Sequence, residues 1–290
     1  MGFGLLLLLG IVFFVVVFGL GLLNGSTRSF SLRSQLGIVP VEGIIGDSRE
    51  VIRQIEAFAE NNAIKAVVLR IDSPGGGVAP SQEIYQAVCE LKKKKKVVSS
   101  MGSIAASGGY LIASAADRII ANPGSITGSI STVMHFANVE ELLKKVGVRS
   151  SVVKSGKFKD IGSPVREMTA EESALLQGMV DDIYDQLIRT VADNRNIPLE
   201  KVKEIADGRI FSGRQAMALG LVDGLGGLNE AVLLAGSLSG IDGKPDLVYP
   251  KQPRSGILKY LLEIAAVKFY EETNKQVTQF NGAQYIYQSW

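Results

Sequence analysis

The chain has little of the side chains that most often carry enzyme chemistry. Its 290 residues include one cysteine, Cys89, and one histidine, His135. A single cysteine excludes an internal disulfide framework, and Cys89 lies on a helical pattern of apolar residues, where we expect it to pack. A single histidine means that any serine–histidine mechanism depends on His135. An excess of charge is also lacking, because the formal net charge is +2, and this balance gives no indication of nucleic-acid binding.

One long apolar run lies near the start of the chain, where residues 3–23 include no charged side chain. At about 1.5 Å per residue, such a run spans the hydrocarbon core of a bilayer. No basic residue precedes it, and it is longer than the apolar core of a signal peptide. We therefore predict an uncleaved transmembrane anchor over residues 1–25, followed by a polar linker over 26–36. Arg28 and Arg33 follow the run and weakly favour a cytoplasmic catalytic side.

Strand and helix patterns alternate along the rest of the chain. This alternation predicts an α/β domain over residues 37–250, with a parallel sheet and flanking helices, and a C-terminal helix and tail over 251–290. Strands are predicted at residues 38–45, 66–71, 97–101, 118–121, 128–133, 149–154 and 248–249. Helices are predicted at residues 48–62, 81–94 with Ser81 as its cap, 110–116, 140–146, 170–195, 199–207, 212–219 with Ser212 as its cap, 228–239 and 257–270.

Two glycine turns follow two separate predicted strands, at residues 74–77 and 107–109. In a parallel sheet both turns lie at the carboxyl ends of strands, where ligands bind. Ser107 is the candidate nucleophile, and the N–H groups of Gly76 and Gly108 could bind the oxyanion of an acyl-transfer reaction. The alternative is a close-packed turn without chemistry, because serine before glycine is common in turns. The first turn lacks the Gly-Lys-Ser/Thr ending of a phosphate-binding loop, which argues against nucleotide binding.

A nucleophilic serine needs a base. His135 is one candidate, and a lysine that loses its charge in apolar surroundings is another. The lysines in or beside the polar loop of residues 155–167 are Lys154, Lys157 and Lys159. Their sequence pattern does not choose among them. Ser129 follows a predicted strand and is a candidate for holding the lysine amine.

Four segments in this order resemble the signal peptide peptidase A family, in its short, single-domain form. They are Asp-Ser-Pro-Gly-Gly-Gly at 72–77, Met-Gly-Ser-Ile-Ala-Ala-Ser-Gly-Gly-Tyr at 101–110, Ala-Asn-Pro-Gly-Ser-Ile-Thr-Gly-Ser-Ile at 121–130 and Ser-Gly-Lys-Phe-Lys-Asp at 155–160. The resemblance covers residues 38–238. It implies a Clp/crotonase-like fold and a membrane-anchored serine endopeptidase that degrades remnant signal peptides and other apolar, extended peptides. It also implies a catalytic domain outside the cytoplasm, against the arginine count, and no metal or cofactor.

Carried over by motif, the resemblance makes Ser107 the nucleophile and Lys159 the general base, with Ser129 orienting the lysine. Gly76 and Gly108 form the oxyanion hole. One departure is visible, because the family pattern Gly-Ser-Ile-Gly ends here in Ser131. Its Cβ could narrow the floor of the substrate groove.

The resemblance further implies a homo-oligomer, because short family members form rings in which adjacent subunits contribute the serine and the lysine. The predicted helix at 257–270 could pack at such an interface. The tail at 285–290 could lie in a neighbour's groove like a product peptide, or be disordered. Three other functions stay open: a membrane peptidase that cleaves stomatin-like partners, a crotonase-type acyl-CoA enzyme, and a non-enzymatic membrane scaffold.

Overall fold

The computed structural model describes residues 34–250 and 284–286. The predicted anchor at 3–23 and the predicted helix at 257–270 lie outside the described residues. Within the described part, no helix is both long enough and apolar enough to span a bilayer.

Nine strands are described, and they form one sheet. Their bounds are β1 Gln35–Ile45, β2 Ile64–Gly77, β3 Lys96–Ala106, β4 Arg118–Ala121, β5 Ile126–Gly128, β6 Ile210–Ser212, β7 Gly224–Leu225, β8 Asp246–Val248 and β9 Gln284–Ile286. The described helices are α1 Arg49–Glu60, α2 Val78–Lys94, α3 Gly108–Ser114, α4 Glu140–Lys145, α5 Ala170–Arg195, α6 Leu199–Ile205, α7 Gly213–Ala218 and α8 Leu228–Leu238.

The sequence predicted a parallel sheet. The observed sheet is mostly parallel, but it is mixed, because two strand pairs are antiparallel. Strands β8, β1, β2 and β3 pair in that order, all in parallel. The far side of β3 then divides, because its first half pairs with β4 and its last residues pair with β5. The pairs β5–β6 and β2–β9 are antiparallel. These two pairs lie near the carboxyl ends of β2 and β3, so the departures from a parallel sheet surround the predicted site.

Helices cover both faces of the central strands. Along β2, alternate side chains enter two different apolar clusters, as the two-residue period of a strand requires. Val67, Leu69 and Ile71 join the large cluster with residues of α1, α2, α3 and α5, and Ala66 and Val68 join the smaller cluster with α8. A strand buried on both faces reads as a continuous apolar run, which is why this one was recognisable in the sequence.

The prediction of a loop at residues 72–77 is wrong, because β2 continues to Gly77. Ile44 and Ile45 of β1 pair with Gly75 and Gly76. A Cβ atom on Gly76 would overlap the backbone of Ile45. The two strands therefore approach so closely that only glycine fits at this position.

Three other local predictions are also wrong. Ser81 does not cap α2, which begins at Val78, and its hydroxyl instead donates to the carbonyl of Gly77 at 2.8 Å. The strand predicted at 128–133 ends at Gly128, because Gly128 and Ser129 both have positive φ angles and turn the chain. The segment predicted as a strand at 149–154 is exposed and forms no strand.

Candidate active site

Ser107 lies between the last residue of β3 and the first residue of α3. Its backbone has φ 54° and ψ −116°, a combination that residues with a Cβ atom rarely adopt. The turn is held from the next strand, because the N–H of Ser107 donates to the carbonyl of Gly128 at 2.9 Å. The sequence prediction of a serine on a sharp turn between strand and helix is therefore confirmed as local structure.

Ser129 shares this unusual backbone state. Three described non-glycine residues have positive φ, namely Ser107, Ser129 and Asn196. Asn196 ends α5, where a left-handed residue is ordinary. The two serines have no such helix-end explanation, and strain of about 1–3 kcal/mol per residue is typical of functional sites. Since Gly128 accepts the hydrogen bond of Ser107 and precedes Ser129, the structure brings both predicted serines together.

The hydroxyl of Ser107 is buried and has no hydrogen-bond partner among the described residues. Ser107 is 1% exposed, and its Oγ shares this unpaired state with polar atoms of Gln54 and Thr132. Buried polar atoms are nearly always hydrogen-bonded, because leaving one unpaired costs about 1–3 kcal/mol. The unpaired hydroxyl and the strained turn together keep Ser107 the candidate nucleophile.

The two glycine segments meet at the carboxyl end of the sheet, as predicted. Ser73 of β2 pairs with Ala105 of β3. A Cβ on Gly109 would lie 2.9 Å from the carbonyl oxygen of Ser73, so α3 packs directly on this end of β2. Gly76 lies three residues further along β2, and Gly108 is the first residue of α3. Both predicted oxyanion-hole residues therefore lie on the two segments that meet here.

Side chains that the sequence analysis missed hold the strand that carries the serine. A carboxylate oxygen of Asp72 accepts from the N–H of Ile104 at 3.1 Å. The hydroxyl of Thr127 donates to the carbonyl of Ala105 at 2.7 Å, and that of Ser125 donates to Gly102 at 2.6 Å. Long-range bonds of this kind leave no periodic signal in the sequence.

The structure distinguishes the three candidate lysines. Lys154 forms an ion pair with Asp160. Lys157 forms an ion pair with Glu171 and lies 5.2 Å from the centre of the Phe158 ring. Lys159 is exposed, and in the described part of the chain its amine has no hydrogen bond and no ion pair. Among these three, Lys159 is the lysine whose amine is available to another group.

The predicted Ser107–Lys159 pair is not formed within this single chain, because the Ser107 hydroxyl has no partner. The same observation applies to His135, which is exposed and does not contact the serine hydroxyl. Within residues 34–250, no group of three or more His, Cys, Asp or Glu side chains is arranged to hold a metal ion.

A short piece of the C-terminal tail lies beside the glycine end of β2. The backbone of β9 runs antiparallel to it, with Ile286 opposite Gly75, Tyr285 opposite Gly76 and Gln284 opposite Gly77. This strand also approaches α2 and α3. This pairing is with β2 of the same chain, and it differs from the predicted position of the tail in a neighbour's groove.

Comparison with known proteins identifies the family. The family model of peptidase family S49 matches residues 89–242, and that of Clp protease matches residues 35–126. A Synechocystis protein with a provisional protease name is 48% identical over 219 residues, which cover 75% of this chain and 78% of that protein. A provisionally named protease of Methanocaldococcus jannaschii is 35% identical over 238 residues, which cover 81% of this chain and 76% of that protein. The chain belongs to peptidase family S49.

A third relative agrees with the predicted type of S49 peptidase. A provisionally named signal peptide peptidase SppA from Enterococcus faecium is 36% identical over 206 residues, which cover 66% of this chain and 60% of that protein. This S49 peptidase is thus a serine peptidase of the SppA type, which confirms the predicted family. The Clp protease match agrees with its mixed α/β sheet and flanking helices. The individual roles of Ser107, Lys159, Ser129, Gly76 and Gly108 stay predictions.

Proposed function

We propose that this S49 peptidase cleaves peptides with a Ser107–Lys159 dyad. The observation that carries the proposal is the buried, unpaired hydroxyl of Ser107 on a strained turn. Lys159 is the favoured base because the amines of Lys154 and Lys157 are held in ion pairs. Ser129 is close to the Ser107 turn and would orient the lysine amine.

The chemistry follows from these positions. The neutral amine of Lys159 accepts the proton of the Ser107 hydroxyl while Oγ attacks the peptide carbonyl carbon. The N–H groups of Gly76 and Gly108 bind the oxyanion of the tetrahedral intermediate. The resulting Lys159 ammonium returns a proton to the leaving amine, which leaves an acyl-enzyme on Ser107. Lys159 then takes a proton from the water that attacks this ester and gives it to Oγ of Ser107 as the acyl product leaves, which restores the free serine and the neutral amine; no metal or cofactor is required.

A second subunit would complete this dyad. Lys159 is exposed, and the Ser107 hydroxyl is unpaired, so neither residue meets its partner within one chain. The loop of residues 155–167 is here called the Lys159 loop. Exposed apolar side chains are concentrated just before it in the chain, on and after α4: Leu142, Val146, Val148, Val152 and Val153. Exposed apolar side chains grouped in this way are found at protein interfaces. We therefore propose a homo-oligomer in which the lysine of one subunit serves the serine of another.

The proposed substrates are apolar, extended peptides such as remnants of signal peptides. The antiparallel pairing of β9 with Gly75–Gly77 supports binding of a peptide as an added strand at the glycine end of β2. The apolar run at 3–23 would anchor the peptidase in a membrane, with the catalytic domain outside the cytoplasm. That location would bring cleaved signal peptides within reach.

A covalent serine probe tests the nucleophile. We expect a fluorophosphonate to label the active protein on Ser107, as read by mass spectrometry of the labelled peptide. Ser107→Ala should abolish labelling, whereas Ser103→Ala, which changes an exposed serine of the preceding strand β3, should retain it. Labelling of another serine, or none in active protein, would contradict the proposal.

Removal of β9 should improve substrate binding. A tethered strand competes with the substrate at high effective concentration, so a chain ending at residue 283 should show a KM lower by about threefold or more. The kcat value should stay unchanged, because β9 supplies no group to the reaction. The matched control ends at residue 286, keeps β9 and should behave as wild type. An equal or higher KM after removal of β9 would contradict this role of the tail.

A further inference from the structure

Arg166 joins the Lys159 loop to α5 through all five of its N–H donors. Nε donates to the Asp160 carboxylate at 2.9 Å, and Nη2 donates to the Asp160 carbonyl at 3.1 Å. Nη1 donates to the Glu167 carbonyl at 2.9 Å and to the Glu172 carboxylate at 2.8 Å. The fifth bond runs from Nη2 to the other Glu172 oxygen. A guanidinium has five donors in one rigid plane, so this arrangement, here called the Arg166 clamp, fixes Asp160 against Glu172.

The Glu172 end of the clamp is firmly held. Glu172 is 3% exposed and forms a capping box with Thr169 at the start of α5. The Arg166 guanidinium and the Thr169 N–H together lower the pKa of Glu172 to about 2, so the carboxylate is ionised at neutral pH. Further along α5, Leu187, Ile188 and Val191 are buried in the core. The clamp therefore connects the residue next to Lys159 to a helix whose far end is anchored in the core.

The Lys159 end of the clamp is a series of tight turns. The N–H of Lys159 donates to Gly156 at 3.2 Å, that of Ile161 to Phe158 at 3.1 Å and that of Ser163 to Asp160 at 3.1 Å. Each of these bonds joins residues three apart, so the turns around Lys159 and Asp160 form one compact segment. The backbones of these two residues are therefore expected to move together. Any movement of Asp160 would move the base.

The clamp also occupies the carboxylate that stands next to Lys159 in the chain. Asp160 is paired with Arg166 and Lys154, and these two cations lower its pKa below the usual range of a carboxyl. Without Arg166, Lys154 alone would hold this carboxylate, and the oxygen that now accepts from Arg166 could pair with the adjacent lysine. A lysine paired with a carboxylate is stabilised as the ammonium ion, which cannot accept a proton.

We propose that Arg166 is a positioning residue for the base, and this inference rests on the proposed role of Lys159. Arg166 holds the Lys159 backbone relative to α5 and keeps the Asp160 carboxylate away from the lysine amine. It touches none of the reacting atoms. Its effect is therefore on the chemical step and on its pH dependence, and substrate binding does not depend on it.

The first test compares Arg166→Met with the wild type. We expect kcat to fall about 10- to 100-fold, since displacement of a catalytic group by about 1 Å costs that much, with KM unchanged. The activity profile should also shift to higher pH, and adding Asp160→Asn should remove this shift. Arg166→Lys should recover part of kcat, because it restores the charge without the five-donor fork. The matched control is Arg189→Met, which removes an exposed ion pair with Asp185 within α5. This change should alter neither kcat nor the pH profile.

The second test uses mixed oligomers. Arg166→Met chains have an intact Ser107, so mixing them with Ser107→Ala chains should raise activity, whereas mixing them with Lys159→Ala chains should not. A general folding defect would prevent recovery in both mixtures. If Arg166→Met does not fold, Asp160→Asn, which leaves the Glu172 cap intact, replaces it in the comparison of kcat and in the mixtures, and no pH shift is then expected. If Lys159→Ala retains activity, the proposed function fails; if Lys159→Ala is inactive and Arg166→Met keeps the wild-type kcat and pH profile, the Arg166 inference alone is overturned.

Discussion

Lys159→Ala is expected to lower kcat/KM by about 10³-fold or more, because a nucleophile and its base act as a unit. Lys157→Ala and His135→Ala should keep most of the activity. The amine of Lys157 is already paired with Glu171, and His135 lies outside the four segments that resemble the family. The measurement is kcat/KM on an apolar peptide substrate, with each variant checked for wild-type thermal stability.

The pH profile of the wild type gives the same prediction an independent readout. Only the neutral form of a lysine amine accepts a proton, so activity should rise with pH and persist into the alkaline range. A histidine base would instead be fully active once the pH exceeds about 7. An optimum near about pH 6 with loss above about pH 8, or an inactive His135→Ala beside an active Lys159→Ala, would show that the base is assigned wrongly.

The sequence predicted the long and capped elements well. The bounds of α5 and β4 are those expected from their apolar patterns. Ser212 caps α7 as predicted, and the structure adds a capping box with Gln215, a local Ser-x-x-Gln arrangement that needs no tertiary contact. Elements whose apolar period and end signals agree are therefore readable from the chain alone.

The failures have tertiary causes. Residues 72–77 contain the proline and glycines of a turn, yet the close approach of Ile45 in β1 draws them into a strand. The residues at 149–154 have β-branched side chains but gain no pairing partner, so strand propensity alone does not form a strand there. In both segments the presence or absence of an adjacent strand decided the structure, and the local composition misled the prediction.

The predicted site was recovered unevenly for similar reasons. Ser107 and Ser129 were predicted from short motifs, and the structure brings them together. The choice among three lysines depended on carboxylates elsewhere, since Asp160 and Glu171 occupy two of the amines. Arg166, the partner of Glu172 at the start of α5, becomes visible only in three dimensions.

The second large effect concerns sharing of the site between subunits. Ser107→Ala and Lys159→Ala proteins should each be inactive, and a mixture assembled together should regain activity. If each site takes its serine from one chain and its lysine from a neighbour, random assembly of equal amounts restores about one quarter of the sites. If both residues act within one chain, no mixture contains an intact site. The measurement is the activity of oligomers whose mixed composition is verified by mass spectrometry.

In a matched experiment, mixing is expected to lower the activity and not to restore it. A chain carrying both Ser107→Ala and Lys159→Ala, mixed equally with wild type, should halve the activity per wild-type chain, because about half of the wild-type serines then face a subunit without its lysine. Sites contained in single chains would leave that activity unchanged. The exposed apolar residues after α4 lie beside the Lys159 loop, so Val153→Asp should weaken both assembly and activity, whereas Leu233→Asp, which changes an exposed residue of α8, should affect neither. A fully active monomer, or verified mixed oligomers without recovery, would exclude the shared site.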